Sequence, residues 1–325
     1  MAMYNDIYIR DSRWDDGTYP STQRESSPDI IPKPNPIDPS QVENYLKTTY
    51  GENPGDNIEL GQSNYIYMRA KNLSPQHSSA TLYLYFAPSS TFIYPNLWKN
   101  NPVGLVQVES DSGQIAPGIE PIIWLPPSSI DTHYCFIGRV STADHPDPIP
   151  DFSTWNEFWN WLSSDPAVAL RNLAFVNNIP DTGTEWHLDL LNPDPTTHTH
   201  VIQAVCTGCP VGSTLQIYCP ATTPDPIINT TQTINNPTLQ NIYATSSLPA
   251  NFSDNLVIRF TPNGSSAGAV ITIKQYVAPN STDGLMFADA KSVKRTFGNH
   301  EAGHPALKGV QPLVYLGCFT YKVES

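Results

Sequence analysis

Short runs of alternating polar and apolar residues, separated by prolines and turn-forming residues, set the strongest limit on how this chain can fold. Asn64–Asn72 and Ala80–Ala87 alternate in this way and are rich in tyrosine, which is the pattern of strands with one buried face. Similar runs follow at His133–Val140, Trp186–Leu191 and Gly268–Val277. The 32 prolines in 325 residues are spread along the whole chain, and proline disfavours long helices. The sequence therefore predicts an all-β protein.

The spacing of these runs, at intervals of roughly ten residues, is typical of β-sandwiches. The chain is long enough for two domains of ordinary size, and residues 177–183 (Asn-Asn-Ile-Pro-Asp-Thr-Gly) have the composition of a linker. We therefore expect two tandem immunoglobulin-like antiparallel β-sandwiches. The first would occupy residues 1–180, with a long N-terminal loop region, and the second residues 181–325.

One segment departs from the strand pattern and predicts a short amphipathic helix near residues 154–163. Thr154 and Glu157 have the spacing of a capping box, and Trp155 and Trp159 follow at helical spacing. Trp155 and Trp159 could insert into a membrane or dock a partner. The segment has no basic face, so packing against the sandwich is the favoured interpretation.

The charge and the N-terminal sequence limit the partners and the location. A net charge of −13 excludes nucleic acid, because phosphate binding needs a basic face, and it disfavours anionic membrane surfaces. The N-terminal Met-Ala-Met-Tyr-Asn-Asp has neither the basic nor the apolar region of a secretory signal, and no run predicts a transmembrane segment. We expect synthesis in the cytoplasm, with release or export by a leaderless route if the protein acts outside the cell.

The only pattern that points to catalysis is His300-Glu301-Ala302-Gly303-His304, which spells the H-E-x-x-H motif of zinc proteases. On a helix, His300 and His304 would share one face and bind zinc, while Glu301 would polarise a water molecule. Gly303 and the adjacent Pro305 oppose a helix here. The favoured interpretation is a loop, and the protein is predicted not to be an enzyme.

A second group of potential metal ligands comprises His198, His200, Cys206, Cys209 and Cys219. Thiolate and imidazole ligands suit structural zinc in tetrahedral geometry. The spacing is not that of a standard zinc finger, and the alternative is a hairpin with partly buried thiols. We keep zinc as the less favoured of the two.

Four aspartates close to the N-terminus, Asp11, Asp15, Asp16 and Asp29, could bridge loops through calcium. They do not have the order of an EF-hand, so turn chemistry is the favoured explanation. No other cofactor is predicted.

Four tyrosines on successive predicted strands could form a stacking surface for a glycan or a protein partner. These residues are Tyr65, Tyr67, Tyr83 and Tyr85. Cross-strand packing explains the same pattern, and both interpretations stay open.

The first half of the chain resembles a known family. Asp6–Asp11, Gly61–Arg69, Thr81–Ala87, Trp124–Pro126 and His133–Arg139 occur in an order similar to that of the CARDB-type, immunoglobulin-like adhesion modules of large bacterial proteins. The resemblance covers roughly residues 6–176 and implies a non-catalytic sandwich used for binding or spacing. It implies no catalytic residues, and the second half resembles no family that we can name.

Together these patterns favour a non-catalytic bacterial binding or structural protein that acts through its sandwich surfaces, with a protein partner or a homo-oligomer. The alternative is a secreted toxin or lectin-like protein that recognises a host surface. A zinc hydrolase that uses His300, Glu301 and His304 is the least favoured function.

Overall fold

The computed structural model describes residues 2–20, 27–88, 95–126, 134–152, 155–176, 183–192, 194–220, 227–278 and 314–322. Within these residues the chain divides into two compact units, the first ending at Phe175 and the second beginning at Val176. Most of the described backbone forms strands in antiparallel sheets, which confirms the predicted all-β sandwich class.

The first unit contains two main sheets. One is built around β5, which pairs with β2, β4 and β8, and the other has the order β10–β9–β6–β7, while β1 pairs with β3. The strands are β1 (Ala2–Met3), β2 (Ile7–Tyr8), β3 (Thr18–Tyr19), β4 (Ile30–Lys33), β5 (Asn64–Asn72), β6 (Ser78–Ala87), β7 (Pro102–Ser110), β8 (Ile115–Trp124), β9 (Cys135–Ser141) and β10 (Val168–Asn172).

The core of the first unit lies between these two sheets. Alternate residues of β5 and β6, such as Met68 and Leu84, point inward and are buried in one cluster. The sheets approach closely at Gly138 of β9, where an added Cβ would lie 2.8 Å from the Cδ1 atom of Ile9. The apolar positions of the period-two pattern in the sequence are thus the residues of each strand that face inward.

Three helices cover the outer faces of the first unit. The helix α1 (Val42–Thr48) places Val42 and Leu46 against Tyr67 of β5. The helices α2 (Pro95–Trp98) and α3 (Trp155–Ser164) pack on the other sheet, around Tyr85 of β6. The predicted helix near 154–163 is confirmed as α3, although Thr154 of its capping box lies outside the described residues.

A buried charged cluster fastens the irregular N-terminal region to the first sheet. Arg69 of β5 donates from Nε to the Oδ1 atom of Asp29 at 2.8 Å and from Nη1 to the carbonyl oxygen of Leu46 in α1 at 2.8 Å. Arg10 donates to both carboxylate oxygens of the same Asp29. One carboxylate therefore links the N-terminal strand region, the strand β5 and, through Arg69, the helix α1.

The second unit is also a sandwich. Its sheets have the orders β12–β17–β14–β15 and β19–β18–β13–β16, and β11 spans the boundary between the units. A single cluster of buried side chains, with Trp186 and Phe260 among the largest, lies between them. The strands are β11 (Ala174–Val176), β12 (Thr184–Asn192), β13 (His198–Thr207), β14 (Thr214–Cys219), β15 (Ile228–Thr233), β16 (Gln240–Leu248), β17 (Phe252–Thr261), β18 (Val270–Ala278) and β19 (Val314–Lys322).

Candidate functional site

Exposed aliphatic side chains are concentrated on the strands β7 and β8 of the first unit. Leu105, Ile119, Ile123 and Leu125 have 53%, 54%, 60% and 64% of their surface exposed to solvent. The strands β7 and β8 belong to different sheets, so Leu105 points outward from one sheet while Ile119 and Ile123 point outward from the other. We call Ile119, Ile123 and Leu125, which lie on and directly after β8, the β7–β8 face, after the edge of the sandwich where they lie. Large aliphatic side chains are usually buried, and a group of them on one surface is typical of a binding site.

The local sequence explains why these side chains point outward. In β7, Val106 and Val108 are buried while Leu105 between Gly104 and Val106 is exposed, as strand alternation requires. The two strands pack closely: an added Cβ at Gly104 would lie 2.7 Å from Ile122. Close packing on the inner side leaves the opposite side of both strands facing solvent.

A surface cavity of about 950 Å³ adjoins the β7–β8 face. Its apolar lining includes Ile115, Pro117 and Ile119 of β8, so Ile119 belongs to both the cavity and the face. The volume lies in the range of ligand-binding clefts. We call this cavity the acidic groove because of the charges described next.

Carboxylates outnumber basic groups in the acidic groove. Lys47 of α1 pairs with Glu43 at 2.6 Å. His77 lies between two acidic residues, with its Nδ1 atom 3.0 Å from the Oδ1 atom of Asp111 and its Nε2 atom 3.9 Å from the Oε2 atom of Glu109. All of these side chains are accessible, so they can exchange their present partners for those of a ligand.

An aspartate–histidine pair that the sequence did not suggest lies elsewhere in the first unit. The Oδ2 atom of Asp6 accepts a hydrogen bond from the Oγ1 atom of Thr142 at 2.5 Å and lies 2.6 Å from the Nδ1 atom of His145. Burial opposes the ionisation of Asp6, but these hydrogen bonds outweigh it and lower the pKa of its carboxyl group. The ionised carboxylate therefore orients a half-exposed imidazole, an arrangement found in acid–base sites but also in loops held by hydrogen bonds.

Near this pair, Asp147 has the properties of a proton-exchanging group. Burial, the charge of Asp165 and a hydrogen bond to Asp165 raise the pKa of Asp147 to about 7, against the opposing effect of Arg139. We expect Asp165→Asn to lower the pKa of Asp147 by about one unit or more, because the repelling charge is removed. Titration of the Asp147 carboxyl carbon by NMR measures this. Asp144→Asn, at an exposed position of the same loop, should leave it unchanged, and an equal effect of both variants would contradict the pairing.

The four tyrosines do not form one surface, because β5 and β6 belong to different sheets. Tyr67 is buried beneath α1, where its hydroxyl accepts a hydrogen bond from the backbone N–H of Ile37 at 2.9 Å. Tyr85 is buried against Trp98, with ring centroids 5.1 Å apart. Packing under helices thus accounts for both residues.

The two remaining tyrosines lie on different sheets of the first unit. Tyr65 and Tyr83 are half-buried, and their strand positions lie opposite Ile123 and Leu105 respectively. Tyr65 therefore lies beside the β7–β8 face, and Tyr83 lies beside Leu105 on the other sheet. Both stay candidate binding residues.

The structure does not bring the predicted soft metal ligands together. His200 and Cys206 lie on the same strand, β13, six positions apart, which corresponds to about 20 Å. The described part of the chain contains no group of three histidine, cysteine or acidic side chains that could hold a metal ion. The members of the predicted cluster, His198, His200, Cys206, Cys209 and Cys219, are all buried.

The thiols and the histidines of that cluster occupy different surroundings. Cys206, Cys209 and Cys219 belong to the apolar core of the second unit. A hydrogen bond that the Cys206 thiol donates to Cys209, together with burial, raises the pKa of Cys206. The Nε2 atom of His198 lies 3.0 Å from the Oδ2 atom of Asp194. Packing and local hydrogen bonds, rather than a shared ligand, explain these positions.

Three of the four N-terminal aspartates, Asp15, Asp16 and Asp29, accept hydrogen bonds from different groups. Asp15 accepts hydrogen bonds from the backbone N–H groups of Asp11 and Gly17, and Asp16 accepts one from that of Thr18. Asp29 is engaged by the two buried arginines. The contacts of Asp15 and Asp16 are of the turn type that the sequence favoured over calcium.

The remaining predicted site residues are described in part or not at all. His300, Glu301 and His304 lie outside the described residues, as does most of the predicted linker. The backbone of Trp155 and Trp159 lies in α3, and their side chains are outside the description. These predictions stay as the sequence left them.

Comparisons with known proteins do not identify a family. No family model matches the chain, and no curated protein matches it. Among solved structures, red sea bream transglutaminase is similar over 73% of this chain, with 10% identity and a TM-score of 0.22, and the chain spans 31% of that protein. The calcium binding domain CBD12 of CALX1.1 is similar over 84% of this chain and 98% of its own, with 10% identity and a TM-score of 0.19. An anti-sigma factor domain-containing protein is similar over 85% of this chain and 93% of its own, with 8% identity and a TM-score of 0.20. Scores this low do not assign the chain to any of these folds.

In the part of the chain that the structure describes, no helix combines the length and the apolar character needed to cross a membrane.

Proposed function

We propose that this protein is a non-catalytic binding protein whose first unit docks a partner protein through the β7–β8 face. The observation that carries the proposal is the row of Ile119, Ile123 and Leu125, each more than half exposed, along the outer side of β8 and the residue that follows it. Covering such side chains removes apolar surface from water, which is the main driving force of protein association.

The surroundings of the face fit an interface. Exposed polar residues, including Glu109 and Glu120, lie beside the aliphatic centre, and interfaces commonly combine an apolar centre with a polar rim. A second copy of this chain would bring these carboxylates against each other. The net charge of −13 opposes self-association further, so a different protein is the proposed partner.

The strand order supports an adhesion-type module. In the first unit, β2, β5 and β8 form one sheet, and β6, β9 and β10 belong to the other. This is the arrangement of strands A, B and E against C, F and G in immunoglobulin-type sandwiches. The order agrees with the resemblance of residues 6–176 to adhesion modules of bacterial proteins, which use such sandwiches for binding.

Photocrosslinking tests the proposed docking. A photoreactive amino acid is placed at Ile123 in cells that make the protein, and it should yield one discrete adduct with another protein. The control position is Leu239 in the second unit, which is 48% exposed. The same group at Leu239 should yield no such adduct. With the group at Ile123, the double substitution Ile119→Ser and Leu125→Ser should reduce the adduct at least tenfold. The same double variant should keep Tm within about 2 °C of the parent, because exposed positions contribute little to stability.

Three results would contradict the proposal. Equal adducts at Ile123 and Leu239 would indicate non-specific contact. An adduct with a second copy of the chain would mean self-association. No adduct at Ile123 would mean that the face stays uncovered.

A further inference from the structure

We infer that the acidic groove receives a lysine or arginine side chain of the partner segment that covers the β7–β8 face. This inference rests on the proposed docking function and adds the chemical class of the segment: one basic residue followed by alternating apolar residues.

The charges of the groove select a cation. Glu43, Glu109 and Asp111 supply three carboxylates and Lys47 one ammonium group, so with His77 uncharged the lining carries two more negative than positive charges. The side chains of Glu109 and Asp111 are 75% and 83% exposed. Their carboxylates can therefore turn toward an incoming ammonium or guanidinium group without breaking a buried contact.

The apolar part of the groove suits the stem of a long basic side chain. Ile115, Pro117 and Ile119 line the cavity together with the carboxylates. Lysine and arginine place their methylene groups on apolar surface while the charged end stays near water or carboxylates. A small inorganic cation would make no use of these side chains, whereas a basic residue uses both parts of the lining.

Continuity with the β7–β8 face indicates an extended polypeptide rather than a free amine. Ile119 lies in both the groove and the face, and the face continues along β8 to Ile123 and Leu125. Gly118 and Trp124 pair with Met68 and Asn64 of β5, which are only four residues apart because the register of β8 is irregular here. This part of β8 therefore spans about 13 Å, which an extended segment of about four residues covers. The basic residue would therefore stand at one end of a short segment whose apolar side chains meet the aliphatic residues.

Three synthetic octapeptides test the inference on the full chain. The first is Lys-Thr-Val-Thr-Leu-Thr-Ile-Thr, the second has Glu in place of Lys, and the third has Ser in place of the three apolar residues; all are acetylated and amidated. Fluorescence anisotropy with labelled peptides should show the lysine peptide binding at least fivefold more tightly than either of the others. Its affinity should fall with added salt, because the selecting contacts are exposed charges.

Variants assign the binding to the groove. Glu109→Gln combined with Asp111→Asn should weaken the lysine peptide threefold to tenfold and leave the glutamate peptide no weaker. Asp144→Asn, at an exposed position outside both the groove lining and the β7–β8 face, serves as the charge-removing control and should have less than a twofold effect. Ile119→Ser should weaken the lysine and glutamate peptides alike.

The outcomes separate this inference from the proposed docking. Equal binding of the lysine and glutamate peptides, with loss on Ile119→Ser, would overturn the basic-residue inference and leave docking through the face intact. An unaltered affinity in the Glu109/Asp111 double variant would overturn it as well, and so would the absence of peptide binding in a protein that still forms the specific adduct at Ile123. Docking itself is tested by the adduct at Ile123, and the absence of that adduct would overturn the proposed function.

Discussion

Asp29→Asn is expected to lower the unfolding free energy of the first unit by about 3–5 kcal/mol, the cost of leaving buried charges without their partner. Asp29 accepts hydrogen bonds from the backbone N–H of Arg10 at 3.1 Å, from the Nε and Nη2 atoms of Arg10 at 2.9 and 2.6 Å, and from the Nε atom of Arg69 at 2.8 Å. All three side chains are almost completely buried. Asparagine fills the same volume but removes the only charge that balances these two guanidinium groups within the hydrogen-bonded trio.

The effect should extend beyond the two arginines, because Arg69 also holds α1. The Nη1 atom of Arg69 donates to the carbonyl oxygen of Leu46 and to the Oγ1 atom of Thr49 at 3.0 Å. If Arg69 shifts without Asp29, the helix loses its link to β5 together with the charge pair. Urea denaturation combined with hydrogen exchange measures the stability of the two units separately, because β5 peptides report on the first unit and β13 peptides on the second. In Asp29→Asn, only the β5 peptides should lose protection.

A surface pair provides the control for Asp29. Asp56 bonds to Lys33 at 2.9 Å, but 53% of its side chain is exposed, so Asp56→Asn should cost less than about 1 kcal/mol. A loss below 1 kcal/mol in Asp29→Asn, or equal losses in both variants, would show that the buried cluster does not hold the first unit together.

Local pattern was enough to predict the strands with one clearly buried face. The alternation at Asn64–Asn72 coincides with β5, and the segment predicted at residues 80–87 lies within β6. In both strands, inward residues such as Ile66 and Leu82 form the core. A period of two in side-chain direction is a property of each strand by itself, so it can be seen before the partner strands are known.

Other elements left weaker signals that could have been recognised. The helix α1 begins after Asp38 and Pro39, a turn-forming residue followed by a residue suited to helix starts, and Glu43 and Lys47 have the favourable spacing of one helical turn. The strand β7, where Leu105 lies, alternates as clearly as β5 from Leu105 onward. Recognising it would have identified Leu105 as an exposed position.

The charged cluster and the groove could not be predicted, because they depend on contacts between distant segments. Asp29 meets Arg69 from 40 positions away, and the groove combines residues of α1, β7 and β8. Sequence proximity was misleading for the soft ligands: His200 and Cys206 share one face of β13, but the length of the strand keeps them apart.

His200 is expected to make the second unit sensitive to acid between about pH 6.5 and pH 3. Burial, followed by the neighbouring charge of His198, lowers the pKa of His200 to about 3 from its ordinary 6.5, although Asp194 opposes this. Below pH 6.5 this imidazole is protonated in the unfolded chain, whereas in the folded unit it stays neutral down to about pH 3. Stability is therefore complete above pH 6.5 and is lost progressively as the pH falls, by about 3 kcal/mol at pH 4.

Substitution of His200 isolates this contribution from those of the acidic residues. His200→Gln removes the titrating group, so the difference in unfolding free energy between pH 7 and pH 4 should shrink by about 3 kcal/mol, whatever the substitution costs at pH 7. The carboxylates titrate equally in both proteins and cancel in this comparison. Urea denaturation at the two pH values, followed through exchange of β13 peptides, measures it. His187→Gln, at a histidine with 42% of its side chain exposed on β12, should leave the difference within about 0.5 kcal/mol of the parent value. An unchanged difference in His200→Gln would mean that the imidazole is charged in the folded protein, and the packing of β13 around a neutral ring would then be wrong.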